Sequence, residues 1–222
     1  MCFSASSSFT AAGIVAIAGI ASVRQTRNSK LYGLACVPFV FASHQLLEGG
    51  VWLTINDTTS LAHKLAVNSF VLFGFGLWPV YAPFFLAVAE TSKIKRQILY
   101  AVAFLELFLF GYVAAQLPNI FVEVKSHSLA YSAGWKPIHY AFFGLSLLTP
   151  FISSLPRAWI VGVALVGSFL AAFLIKQAAA ASVWCFFAAL LSVGAFWYVR
   201  MLERTAARTA GPLTMAGAVA AK

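Results

Sequence analysis

Seven apolar stretches, each near the length that crosses a bilayer and each ended by polar or basic residues, decide what this chain can fold into. A spanning helix needs about 20 mostly apolar residues. Such segments fall at 8–23, 31–55, 64–89, 97–117, 139–155, 158–175 and 178–199. The first, fifth and sixth are near the short limit, so six or seven spans can be drawn, and seven is the better count. Composition leads the same way. The chain is 61% hydrophobic and 9% charged, with a mean hydropathy of +0.87, where a soluble domain carries about 25% charged residues. A soluble core of 222 residues has no room for that much apolar surface. The expected fold is all-α, an integral membrane bundle of seven transmembrane helices. Residues 1–204 form a single domain, and 205–222, rich in Ala, Gly and Thr, are expected to be a mobile cytoplasmic tail.

The basic residues test the count independently. On a seven-span path Arg24, Arg27, Lys30, Lys93, Lys95, Arg96, Arg157, Arg200, Arg204, Arg208 and Lys222 share one side, and Lys64, Lys125, Lys136 and Lys176 the other. Eleven against four is a positive-inside bias that predicts an outward N-terminus and a cytoplasmic C-terminus. Six spans would break the alternation. The net charge of +9 is then mostly topology, with the lipid bilayer as first partner and no case for nucleic acid. No cleavable leader is expected, since the N-terminus lacks a basic region and Ser4 to Ser8 is polar. The connection from Pro118 to Ile138 carries Phe121, Tyr131 and Trp135 and is expected to lie back on the membrane surface.

Within this apolar frame, His44 and Glu48 sit one helical turn apart in the second span. A charge at membrane depth costs roughly 2.5–3.5 kcal/mol on insertion scales, so a chain keeps such a pair only where a partner, a metal, a ligand or water compensates it. At 1.5 Å per residue His44 lies roughly 20 Å and Glu48 roughly 26 Å from Leu31, in the predicted outer half. Their spacing puts both on one face, able to hydrogen-bond or to bind one cation together. They are the candidate catalytic residues and metal ligands. A catalytic zinc site needs three protein ligands, and His139, Cys185, Glu106 and Cys2 are the candidates to complete one. A transition-metal ion is the best guess for a cofactor. The alternative is a His–Glu pair that only joins helices.

Glu106, in the middle of the fourth span, is a second buried carboxyl without an obvious local partner. The run Ser182-Val183-Trp184-Cys185 places a hydroxyl, an indole and a thiol in one turn of the last span, to line a cavity or to join helices. Trp52, Glu106 and Trp184 are candidate cofactor-binding residues. Pro79 and Pro83 in the third span and Pro150 in the fifth kink their helices, and the hydroxyls of Thr149 and Ser153-Ser154 are expected to satisfy carbonyls that Pro150 frees. Gly74-Phe75-Gly76 allows close helix approach. Three cysteines, an odd number, define no disulfide framework, and a Cys2–Cys185 bridge stays open. The last span has neither the deep lysine of a retinal protein nor the histidines of an intramembrane ceramidase-like hydrolase. A haem usually wants two histidines at matching depth, and only His44 is clearly buried.

The opening Met1-Cys2-Phe3-Ser4-Ala5, the segment His44-Gln45 … Glu48-Gly49 … Val51-Trp52, Trp78-Pro79, Ser153-Ser154 and Ser182-Val183-Trp184-Cys185-Phe186-Phe187-Ala188-Ala189 together resemble an uncharacterised family of small bacterial multipass proteins. The resemblance spans nearly the whole chain. It implies a prokaryotic inner-membrane protein of unknown activity with Cys2, His44, Glu48, Trp52, Trp184 and Cys185 in its motifs, and it supplies no reaction. Removal of Met1 would leave an N-terminal cysteine, a competent chelator or nucleophile. The expected function is a membrane-embedded site that binds a metal ion or cofactor, with catalysis as an option. The rival is a non-catalytic small-molecule sensor or an accessory subunit with a membrane protein partner or a second copy of itself.

Overall fold

Ser4 starts the first helix through a reciprocal cap, its hydroxyl accepting the Ser7 N–H at 3.3 Å while the Ser7 hydroxyl accepts its own N–H at 3.2 Å. The computed structural model describes residues 4–125, 127–132 and 137–219, so Cys2 and Trp135 lie outside the described residues. Seven helices follow one another: α1 (Ala5–Gln25), α2 (Ser29–Thr54), α3 (Leu61–Ala89), α4 (Lys93–Gln116), α5 (Pro137–Ile152), α6 (Ala158–Ile175) and α7 (Ala180–Val219). The all-α bundle is as expected. Six of the helices are long and apolar enough to cross a membrane, and the fifth offers only the shorter apolar stretch His139–Ile152. Their outward faces carry large apolar side chains such as Ile17, Phe104 and Leu174. Such faces suit a lipid environment and a multi-pass membrane protein. Helix α7 continues through 205–219.

Between α4 and α5 the chain forms an antiparallel hairpin, β1 (Phe121–Lys125) against β2 (Ser128–Ser132), in the register Phe121 to Ser132 through Lys125 to Ser128. His127 takes a left-handed backbone in its turn, with φ 61°. This hairpin, the described part of the connection expected at the membrane surface, covers one end of the bundle. Ser128 to Tyr131 are buried, and Tyr131 stacks on Phe70 of α3 with ring centroids 4.4 Å apart. Lys176, beyond α6, donates to the Ser128 hydroxyl at 3.0 Å. The opposite end carries the α1–α2, α3–α4 and α5–α6 turns.

The core runs in three layers between these ends. Val51, Phe70, Val113 and Leu129 pack at the hairpin end. Phe41, Trp78, Phe143 and Trp184 form an aromatic middle, and Leu31, Leu86, Leu99 and Val199 close the basic end. Two helices are interrupted where the sequence removes a donor. Helix α2 breaks at Cys36, two residues before Pro38. Helix α3 widens into a π turn over Leu72–Leu77, ahead of Pro79, whose ring crowds the carbonyl four residues back. Gly33 brings α2 against α3 so closely that a Cβ there would fall 1.8 Å from the Phe85 ring, and the Tyr81 hydroxyl donates to the Gly33 carbonyl at 2.6 Å.

Candidate functional site

The π turn explains how His44 is held. An N–H that reaches five residues back rather than four leaves carbonyl capacity over at the upstream edge of the turn. Phe70 lies at that edge, and its carbonyl accepts from His44 Nε2 at 3.1 Å. Because a carbonyl only accepts, Nε2 carries the proton in this arrangement and Nδ1 is left as an acceptor. The imidazole also stacks on Phe70, centroids 4.2 Å apart, and on Phe73 at 5.6 Å. It is fully enclosed on this side by protein.

Gly74 makes the approach possible. A Cβ at Gly74 would meet His44 Cε1 at 2.9 Å and Nε2 at 3.0 Å, closer than real side chains come. Gly74→Ala is therefore expected to displace the imidazole and cost about 1–3 kcal/mol, the usual range for overpacking. The check is the unfolding temperature of the purified protein, with Gly74→Ala tested alone and with His44→Ala. The double variant should recover most of the loss, because removing the ring removes the clash.

Glu48, one turn further along α2, does not bond His44 but accepts from the Ser182 hydroxyl of α7 at 2.5 Å. The pair on one face of α2 is thus split between two neighbours, His44 to α3 and Glu48 to α7. Trp184 donates through its indole to Ser168 of α6 at 3.2 Å and packs edge-on against Phe143 of α5. The Ser182–Cys185 turn therefore both joins helices and lines a space.

That space is a cavity of about 690 Å³ at the hairpin end, bordered by α2, α3, α5, α6, α7 and β2. His44, Phe143, Phe169, Tyr131, Trp184 and Cys185 give its character, an aromatic wall with one imidazole and one thiol. Of the candidate residues, the structure brings His44, Trp184 and Cys185 together here, with Glu48 bonded to the same helix as the last two. Trp52 is half-buried among Val51 and its neighbours, away from this lining. His139 is buried against the Tyr112 ring, centroids 4.4 Å apart. Glu106 lies on the buried face of α4, and neither of its oxygens has a hydrogen-bond partner among the described residues. Among those residues no three His, Cys, Asp or Glu side chains gather as a metal ion would require.

One residue escaped the sequence reading. Glu90, at the end of α3, is buried and accepts five hydrogen bonds. Oε1 takes the N–H groups of Thr91 and Ser92, both at 2.9 Å, and the Ser154 hydroxyl. Oε2 takes the Ser153 hydroxyl and the Ser154 N–H, both at 2.8 Å. Ser153 and Ser154 thus serve this carboxylate, while the Thr149 hydroxyl donates at 2.6 Å to the Ser146 carbonyl that Pro150 frees. Burial pushes the Glu90 carboxyl up, but the bonds from Ser154, Ser92 and Ser153 outweigh it and hold the group at about 2. The available signal was an acidic residue followed by Thr91-Ser92 in a turn, and that pattern says nothing of a partner more than sixty positions away.

The bundle and its cavity define a multi-helix protein of membrane type with an aromatic-walled pocket. The chain belongs to DUF6629, a family of unknown function, whose profile matches residues 1–212. No curated protein and no solved structure matches it.

Proposed function

We propose that this protein binds a small, largely apolar molecule in the cavity at the hairpin end, without catalysis, as a membrane sensor or carrier subunit. The observation that supports this most is the wall itself. About 690 Å³ is the size of a drug-like ligand site, and aromatic side chains with a few polar groups are what such sites use. The His44 Nδ1 lone pair would accept from one hydroxyl or N–H on the ligand. The reading puts the pocket on the outer side of a prokaryotic inner membrane, N-terminus outward, on the strength of the basic-residue distribution.

The competing reading places a metal or cofactor at His44 and Glu48, completed by Cys185, His139 or Cys2. Its support is the burial of His44, Glu48, Cys185 and His139 in an apolar interior. Against it, His44 and Glu48 are already engaged by Phe70 and Ser182.

The test is mass spectrometry of small molecules extracted from protein purified into nanodiscs, with Ala181→Trp, a cavity-filling change, as comparison. Wild type is expected to carry a near-stoichiometric compound that Ala181→Trp loses while staying folded. Identical extracts from both would overturn the proposal. Elemental analysis of the same samples decides the rival, since a stoichiometric metal lost in a folded His44→Ala, Glu48→Ala variant would establish it.

A further inference from the structure

At the end of the bundle opposite the hairpin, α7 continues past any bilayer. From Ala180 to Arg200 it rises roughly 30 Å, the thickness of the hydrocarbon core, so Arg200, Arg204 and Arg208 fall at and beyond the headgroup level. Their spacing of four puts them on one face. Arg157, at the start of α6, joins them from the α5–α6 turn, where it adopts a left-handed backbone with φ 61°. Together with Trp197 these arginines line a cleft of about 580 Å³, and all four are exposed.

Nothing among the described residues neutralises them. The carboxylate nearest in sequence, Glu203, is turned to another face and accepts from the main-chain N–H groups of Arg27 at 2.7 Å and Asn28 at 2.8 Å. The Lys125–Glu123 ion pair lies in β1, away from the cleft. Four guanidinium groups around one cleft repel each other unless an anion sits between them. Their planar forks match phosphate oxygens, which a scatter of lysines would not do. Trp197, 62% exposed beside the cleft, offers an indole of the kind that settles at the lipid headgroup level.

We infer that this cleft binds the phosphate of an anionic glycerophospholipid, with Arg157, Arg200, Arg204 and Arg208 as the headgroup site and Trp197 beside the glycerol. The site is separate from the hairpin-end cavity and rests only on the reading that the bundle spans a membrane.

Native mass spectrometry of the full chain, titrated with phosphatidylglycerol or phosphatidylcholine, tests it. Wild type should retain one phosphatidylglycerol in preference to phosphatidylcholine. Arg200→Gln with Arg204→Gln should weaken that binding by about thirtyfold, as expected for two lost charges at a membrane surface. Lys93→Gln with Lys95→Gln, equal in charge at the same end but outside the cleft, should leave it intact. Arg204→Lys, which keeps charge and fold but loses the fork, should weaken it several-fold. Equal losses in the lysine variant would mean diffuse surface attraction and overturn the site. So would equal retention of the two lipids, or full displacement by excess inorganic phosphate, which would identify a free-anion site instead.

Discussion

Glu90→Ala lowers the unfolding temperature more than any other single substitution of a polar side chain in this protein. The carboxylate draws five donors from two turns, Thr91-Ser92 after α3 and Ser153-Ser154 after α5, and its removal strands all of them at once. These donors are part-buried, so water recovers some of the roughly 1–3 kcal/mol that each stranded donor would cost in the interior, and the summed loss is about 3 kcal/mol. Glu90→Gln keeps the shape but points an amide at groups that themselves donate, and should fall between wild type and Ala. The same geometry fixes a pH dependence. The ordinary value of 4.5 is depressed to about 2 in the fold, so the stabilisation is complete above 4.5 and is lost as pH falls from there through about 2. Thermal unfolding followed across that range should show a slope in wild type that is much flatter in Glu90→Gln. Equal slopes, or an unchanged unfolding temperature in Glu90→Ala, would sink this account.

What the sequence disclosed follows from how locally each feature is encoded. Apolar segment length is read directly from composition, so the helices and their order were legible, including the short fifth one. The hairpin was legible in principle. Phe-Val-Glu-Val-Lys alternates with a period of two and is rich in β-branched residues, a strand signal obscured by the aromatic residues that suggested an interfacial loop. The burial of His44 and Glu48 was readable because ionisable groups stand out in an apolar span. Their partners were not, because both are supplied across the bundle. One is a main-chain carbonyl, of which every residue has one, made available by a π turn that Gly74, Gly76 and Pro79 only hint at. The other is a serine 134 positions away. Glu90 was hidden for the same reason, since its position at a helix end looks like any solvated turn until the α5–α6 turn folds against it.

Ser182→Ala is expected to cost about 2 kcal/mol in an otherwise native chain and close to nothing when Glu48 is already Leu. The asymmetry comes from which group is stranded. Removing the hydroxyl takes a donor from a carboxyl with no exposed surface. Removing the carboxyl leaves a serine that can turn back to a carbonyl in its own helix. Replacing both partners by apolar groups of similar volume is then nearly neutral, as for other buried polar pairs. A coupling of this size exceeds the ~0.6 kcal/mol average for hydrogen bonds inside membrane proteins, because here the acceptor is a carboxyl rather than a neutral group. Unfolding of the two single variants and the double, measured in one detergent, gives the coupling directly. The helix that Glu48 pins by way of Ser182 also carries Ala181, Trp184 and Cys185 into the cavity wall. Loosening it should therefore reduce retention of the bound small molecule even though neither Glu48 nor Ser182 lines the pocket. A coupling near zero with retention unchanged would show that Glu48 is not the staple between α2 and α7.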